Sequence, residues 1–463
     1  MLWMCESEAA GQRGWRRRHF LQAGALALTG MSLSDLFRLR AQAATVPAGT
    51  GKAPSATSNL KDTAVILLFV HGGPSHLETY DMKPDAPDTI RGPFSPIPTT
   101  VPGIDICEHL PLQAQQAHRY SLIRSVSHDE ADHFAGHRRF LSGYGQLKPG
   151  FGYESYYPQV GAVVNRLFQG RVQGLLPAVS VGGVVVNGPD YAPGISEGYW
   201  SSTYRVPIVN GGLRDSTLLV ESGQLDNRLG LLKGFDRLRR DLDDKGVMDS
   251  MDTFNQQAVE ILLADRAREA FDLSREDPRL REKYGDGYGQ EVLTARRLVE
   301  AGLSFVTVRI PGSGPGTTAY DWDDHAVNWD MLGAMHARLP KYDHVVSTLL
   351  DDLYARGLNE RVLVLVTGEF GRTPRLEHRD GRIGRDHWPS AMSIMVAGGG
   401  MKMGQVIGST NRYGEHPKER QLDPHDFLAT IYRHLGINPQ LEIPDPAGRP
   451  IPLCRGTPIH ELF

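Results

Sequence analysis

The sequence predicts an α/β fold: a mostly parallel central sheet with helices on both faces and a middle insertion. Three observations predict it. Apolar, β-branched runs too short for helices recur along the chain and read as strands buried on both faces. Segments of helical periodicity alternate with them, as a doubly wound sheet requires. Polar, glycine-rich turns follow several of the runs, and ligands of open α/β sheets bind outside the carboxyl ends of the strands. With 463 residues, 40% hydrophobic and 22% charged, the chain has ordinary globular composition and length enough for a large core.

Taken in order, residues 1–44 read as a twin-arginine signal peptide. Arg16-Arg17-Arg18-His19-Phe20-Leu21 supplies the paired arginines followed by Phe-Leu, residues 23–33 a weakly apolar segment, and Ala41-Gln42-Ala43 a small-x-small cleavage site. The apolar segment is too short to span a bilayer and no other candidate follows, so a periplasmic or secreted protein without a stable membrane anchor is expected, carried folded by the twin-arginine translocase. Residues 45–60, rich in Pro, Gly, Ser, Thr and Ala, read as a linker. The net charge of −4 includes the basic leader, and no basic run follows it, which excludes nucleic acid or an anionic membrane as main partner. Cys107 and Cys454 remain after cleavage, either as one disulfide or as two buried thiols.

The fold proper is expected over 61–450. Residues 63–70 read as a buried strand with His71, Gly72, Gly73 and His76 in the turn behind it. A proline-rich surface excursion over 82–103 precedes a short strand at 120–126. His128-Asp-Glu-Ala-Asp-His133-Phe-Ala-Gly-His137 follows, placing His133 and His137 on one face of a helix if one forms there. Residues about 145–260 read as an insertion covering the sheet edge, with a strand at 178–181 and helices over 227–244 and 255–273. The βα pattern returns with a helix at 291–301, a strand at 303–310, the polar stretch Tyr320-Asp321-Trp322-Asp323-Asp324-His325, and a long helix over about 335–356. Residues 361–367 form the next strand, with Glu369 in a Gly-bracketed turn at its end; Arg372, Asp386 and His387 follow before a strand at 393–397. A last helix over 425–436 ends on Gly436, and 451–463 read as a C-terminal tail.

Four polar clusters thus lie directly behind strands or in the next loop: His71 to His76, His128 to His137, Asp321 to His325, and Glu369 with His387. Parallel strands bring their carboxyl ends together, so the clusters can meet. Imidazoles and carboxylates suit a divalent metal, zinc first, with manganese, calcium or iron as alternatives. Such an ion acidifies a bound water and polarises a phosphoryl or sulfuryl oxygen.

HGGPSHLETYDMKPDAP, ICEHLP, WDDH, LLDDLYARGL, GEFGRTP and GRDHWP, together with the leader, resemble the exported domain-of-unknown-function family 1501 over essentially the whole mature chain. That family is in turn similar to the alkaline phosphatase and sulfatase superfamily. The resemblance implies an alkaline phosphatase-like fold, two divalent metals at the carboxyl edge of the sheet, and a Ser, Thr or formylglycine nucleophile. It makes Asp323, His325 and His387 the ligands of the first metal, with Asp321 the other aspartate candidate. The second site departs from the pattern. His71 stands where an aspartate is expected, and Glu369-Phe370 replaces Asp-His. His133 falls at the nucleophile position, and His137 where sulfatases carry an arginine. The expected function is a metal-dependent hydrolase of a small-molecule or polysaccharide phosphate or sulfate ester, with His133 and Glu369 as catalytic candidates. The competing expectation is a non-catalytic binding or assembly protein retaining at most one structural metal.

Overall fold

The apolar runs assemble into one eight-stranded sheet. The structure is a computed structural model and describes residues 61–146, 155–172, 175–182, 195–209 and 269–463. The sheet strands are β1 (Ala64–Phe69), β2 (Tyr120–Val126), β3 (Ala178–Val181), β4 (Ile208–Val209), β5 (Phe305–Arg309), β6 (Val362–Thr367), β7 (Met392–Gly398) and β8 (Val406–Ile407). Their spatial order is β8-β2-β7-β6-β1-β5-β3-β4. β1 pairs in parallel with β5 and β6, and parallel pairing continues from β5 through β3 to β4. β7 runs antiparallel to both β6 and β2, so it alone is reversed and β2 points the same way as β6. β8 returns parallel to β2.

Every residue of β1, β6 and β7 is buried, which is why these strands read as unbroken apolar runs rather than alternating ones. Successive side chains go to opposite faces. Ile66, Leu68, Val364 and Val366 pack with α3 (Tyr288–Ala301) and α4 (Met331–Ala355) through residues such as Leu298, Leu339 and Leu349. Val65, Leu67, Leu363 and Leu365 face α1 (His133–Ser142), α2 (Val160–Leu167) and α5 (Pro424–Leu435) through Phe140, Val163 and Leu428. Fully burying one such aliphatic side chain contributes about 1.5–3 kcal/mol, so the two faces hold the sheet as the centre of the fold.

Several expectations change. Residues 451–463 do not form a tail: Leu453, Cys454, Ile459 and Leu462 are buried in the second core cluster, and Pro450–Pro452 pairs with Glu442–Pro444. Cys107 and Cys454 are both free, buried thiols, one in each core cluster, which removes the disulfide alternative. The excursion over 82–103 is pinned by Pro96–Pro98 pairing with Asp105–Cys107 and by the burial of Phe94. The described parts of the middle insertion do more than cover an edge, because they supply α2, β3 and β4. The signal peptide, the linker, the helix expected at 227–244 and most of the one at 255–273 lie outside the described residues. Among those described, no helix is long and apolar enough to cross a membrane.

Candidate functional site

The reversal of β7 explains how residues before a strand join residues after strands. The amino end of β7 lies beside the carboxyl ends of its neighbours, so the loop entering it is delivered to the same sheet edge. There His387–Trp388 forms a short antiparallel ribbon with Gly371–Arg372, which follows β6. His71 and Gly72 come from the end of β1, Asp321, Asp323 and His325 from the loop after β5, and Glu369 from the end of β6. His133 opens α1, whose start is fixed by Asp132: its carboxylate accepts from the amides of Phe134 and Ala135 at 3.0 and 3.1 Å.

Asp323 is the focus. Its Oδ1 lies 2.9 Å from His387 Nε2, 3.0 Å from His325 Nε2 and 3.4 Å from His133 Nε2. The buried Arg372 guanidinium reaches the same oxygen at 2.6 Å while donating to the carbonyls of Gly72, Gly73, Trp322 and Arg385. The bonds to His133, His325 and His387, with Arg372 beside them, hold the Asp323 carboxyl far below the usual range against a burial that would raise it. The next residue anchors the loop instead, with Asp324 bonded to Arg338 of α4 and accepting from Trp329 Nε1 at 2.9 Å.

Glu369 is the second focus and is fully buried. It accepts from the Gly72 amide at 3.0 Å and from His133 Nδ1 at 2.6 Å, with His137 Nε2 at 3.5 Å and His71 Nε2 at 4.0 Å. Gly72 has to be glycine: its φ is +109°, and a Cβ there would lie 2.5 Å from the Asp323 amide nitrogen. Burial opposes ionisation of Glu369, yet the surrounding imidazoles keep its carboxyl well below the ordinary value. His133, bridging both carboxylates, is raised to about 10 although burial alone would lower it. Burial lowers His71 to about 3, and its Nδ1 makes no hydrogen bond, with Asp321 Oδ2 3.7 Å away. Burial raises Asp321 to about 6.

The second nitrogen of each imidazole decides what the cluster can hold. His387 Nδ1 donates to the Ala131 carbonyl at 2.6 Å, His325 Nδ1 to Asp386 at 2.8 Å and His133 Nδ1 to Glu369. All three turn Nε2 towards one carboxylate oxygen, and a ring that gives up its Nε2 proton while keeping Nδ1–H presents a lone pair there. Burial lowers His387, against its 2.9 Å hydrogen bond to Asp323 Oδ1. The donor set, with each Nδ1 held by an acceptor, therefore fits a divalent metal.

Among the described residues, ligand atoms within 4.8 Å of one another occur in three groups: His133, Asp323 and His387; His71, His133 and Glu369; and His325, Glu377 and Asp386. The site thus brings together His71, His133, His137, Asp321, Asp323, His325, Glu369, Arg372, Asp386 and His387. It does not include His76, whose Nε2 donates to the Gly414 carbonyl at 2.9 Å beneath the site. Arg372 acts as the charged partner of Asp323 rather than as an exposed group. Glu377 escaped the sequence reading, and His128 was named there only as the start of a polar cluster. Glu377 Oε2 is buried without a hydrogen bond, and nothing in a hairpin sequence signals that. His128 donates from Nε2 to the Glu369 carbonyl at 2.7 Å, and its place in a His-rich stretch was the available signal.

Residues 62–463 match the family described as "Protein of unknown function (DUF1501)". No curated protein matches the chain significantly. Similar solved structures include the alkaline phosphatase from the Antarctic bacterium TAB5, 14% identical over 81% of this chain and 98% of that one, with a TM-score of 0.37. The C-terminal periplasmic domain of EcEptC from Escherichia coli, in complex with Zn, is 9% identical over 86% and 94%, with a TM-score of 0.38. The PsFucS1 sulfatase from Pseudoalteromonas sp. is 13% identical over 82% and 71%, with a TM-score of 0.38.

Proposed function

The chain belongs to the DUF1501 family, and from the chemistry of its own site we propose that it is an exported, metal-dependent hydrolase of a phosphate or sulfate ester. One observation carries the reading: three imidazoles, each with Nδ1 held by an acceptor, turn Nε2 towards a single carboxylate oxygen. Asp323, His325 and His387 would hold the cation, zinc being the best match to this N/O set. When bound, the ion supplies Lewis acidity for the ester oxygen and for water.

The protein's own groups divide the remaining work. Glu369 and Asp323 hold His133 charged and orient its ring, so its Nε2 proton is available to the leaving oxygen as the ester P–O or S–O bond breaks. The attacking water returns a proton to Nε2, so the ring ends as it began. Arg372 offsets the negative charge of Asp323 without entering the reaction.

The side chains bonding Asp323 and Glu369 are imidazoles, a guanidinium and a carboxamide, none carrying a hydroxyl or thiol. This favours water as nucleophile, and it is also the observation behind the second reading, a binding protein with a structural metal. Zinc-, manganese- and calcium-loaded protein should be assayed on aryl phosphates and aryl sulfates. The hydrolase reading expects turnover that a chelator removes and metal restores, and His133→Ala should lower it about 100-fold or more while metal stays bound. Metal-loaded protein that melts higher yet turns over neither ester class would establish the second reading instead.

Export is a separate part of the proposal. Arg17→Lys with Arg18→Lys should leave the precursor in the cytoplasm, read by fractionation of the native host. Periplasmic accumulation of the double variant would rule out the twin-arginine route.

A further inference from the structure

Three arginines near the cluster are committed to partners inside the protein. Arg372 holds Asp323, Arg385 holds Glu78, and Arg338 holds Asp324 and the Asp321 carbonyl. Arg309 is different. It is the last residue of β5 and pairs in register with Phe69 of β1, two residues before His71. Its Nε is buried and makes no hydrogen bond. Its two terminal nitrogens make none with the described residues either, but they reach the surface, and the residue as a whole is partly exposed.

No carboxylate closes an ion pair with this guanidinium among the described residues. Asp321 and Glu291 are the two whose charge reaches it. Burial raises both above the ordinary carboxylate range, and Glu291 is shared with Lys341. A cation drawn partly out of water without a counter-ion is costly to the fold. Its planar fork of donors matches a carboxylate or a sulfate in two parallel bonds.

The order of strands says which part of a bound molecule could supply that counter-ion. β1 lies between β6 and β5, so at the sheet edge His71 stands between Glu369 and Arg309. Neighbouring strands are about 4.8 Å apart, which puts the strand carrying Arg309 roughly 10 Å from the one carrying Glu369. His133 is bonded to Glu369, and the His71 ring stacks on it with centroids 5.4 Å apart. An ester held at His133 therefore leaves Arg309 open to a different part of the same molecule.

We propose that Arg309 receives a second acidic group of the substrate, a carboxylate or a sulfate, apart from the ester that is cleaved. The substrate is then an ester that carries a further negative charge. This rests on the hydrolase reading for the ester end of the molecule, whereas the acidic end can be tested by binding alone.

Zinc-loaded full-length protein should be titrated calorimetrically with para-phosphonomethylbenzoate, para-phosphonomethylbenzenesulfonate and the neutral para-phosphonomethylbenzamide. The phosphonate stands in for the ester and is not cleaved. At least one of the two acids is expected to bind about tenfold or more tightly than the amide, as a charged pair does over a neutral contact. Which acid does so identifies the group. Arg309→Gln should bring that acid to the level of the amide without weakening the amide, a selectivity that a merely structural role would not produce. Acids and amide binding alike to the wild type would overturn the proposal however the variant folds. Arg309→Gln weakening all three equally, or no binding at all, would overturn it too. A preference for the acid in protein that cleaves neither ester class would support the role of Arg309 while removing the hydrolase reading.

Discussion

Asp323→Ala should abolish tight zinc binding, with an affinity loss of about 100-fold or more, and turnover should be lost with it. Oδ1 of this residue is the one atom approached by His133, His325, His387 and Arg372 together. Alanine removes a ligand and leaves the fully buried Arg372 without its charged partner. Stripping one partner from a buried ion pair costs about 3–5 kcal/mol, so the variant should also be less stable in the metal-free state. Asp386→Asn separates the two effects. Asp386 is exposed and touches the cluster only through His325 Nδ1 at 2.8 Å, so it should cost roughly 10- to 100-fold in zinc affinity with little change in metal-free stability. Competition against a chromophoric chelator measures the affinity and denaturant unfolding the stability. If both variants bind zinc like the wild type, no metal is held at Asp323.

Glu78→Ala should produce the largest purely structural loss, about 3–5 kcal/mol in denaturant unfolding. Glu78 and Arg385 are both buried, and Arg385 Nε lies 3.0 and 2.9 Å from the two carboxylate oxygens. The guanidinium also donates to the carbonyls of Thr373, Pro374 and Ile90, joining three segments beneath the site. Alanine leaves that cation buried and uncompensated. Glu78→Leu with Arg385→Met removes both charges and should recover much of the loss, since an apolar pair of similar volume often replaces a buried ion pair at no cost. Glu78→Ala within 1 kcal/mol of wild type would mean that water reaches Arg385. Zinc affinity should fall too, because Arg385 precedes Asp386 and His387 and its amide donates to the Asp324 carbonyl at 2.9 Å.

The strands were legible because burial on both faces forces unbroken apolar runs, as in Val362–Thr367 and Ala64–Phe69. The helix at His133 was legible only as a condition, the four-residue spacing placing His133 and His137 on one face if a helix forms; Asp132, which fixes its start, was not read as a cap. The direction of β7 was not, since an apolar run is the same read either way, and that direction is what brings His387 to Asp323. The resemblance indicated Asp323 over Asp321, and the geometry separates them physically: Asp323 faces three imidazoles, whereas Asp321 accepts the Asp323 amide and sits under His71. His76 illustrates the opposite case. Its sequence neighbourhood was as polar as that of His71, but a carbonyl 338 positions away claims its nitrogen. Partners so distant leave no local pattern.

The position of β1 at the middle of the sheet has a consequence for the order of synthesis. The first of the described strands to be made is the one that β5 and β6 flank, so Val65 must wait for Phe305 to pair one edge and for Leu363 to pair the other. Until then a six-residue apolar strand with two open edges emerges early and stays exposed, the state in which nascent chains aggregate or recruit chaperones. The candidate ligands Asp323 and His325 are translated between those two strands and His387 after both, and β1 lies between the strands that deliver them. Assembly of this cluster must therefore await residue 387, when most of the chain has been made.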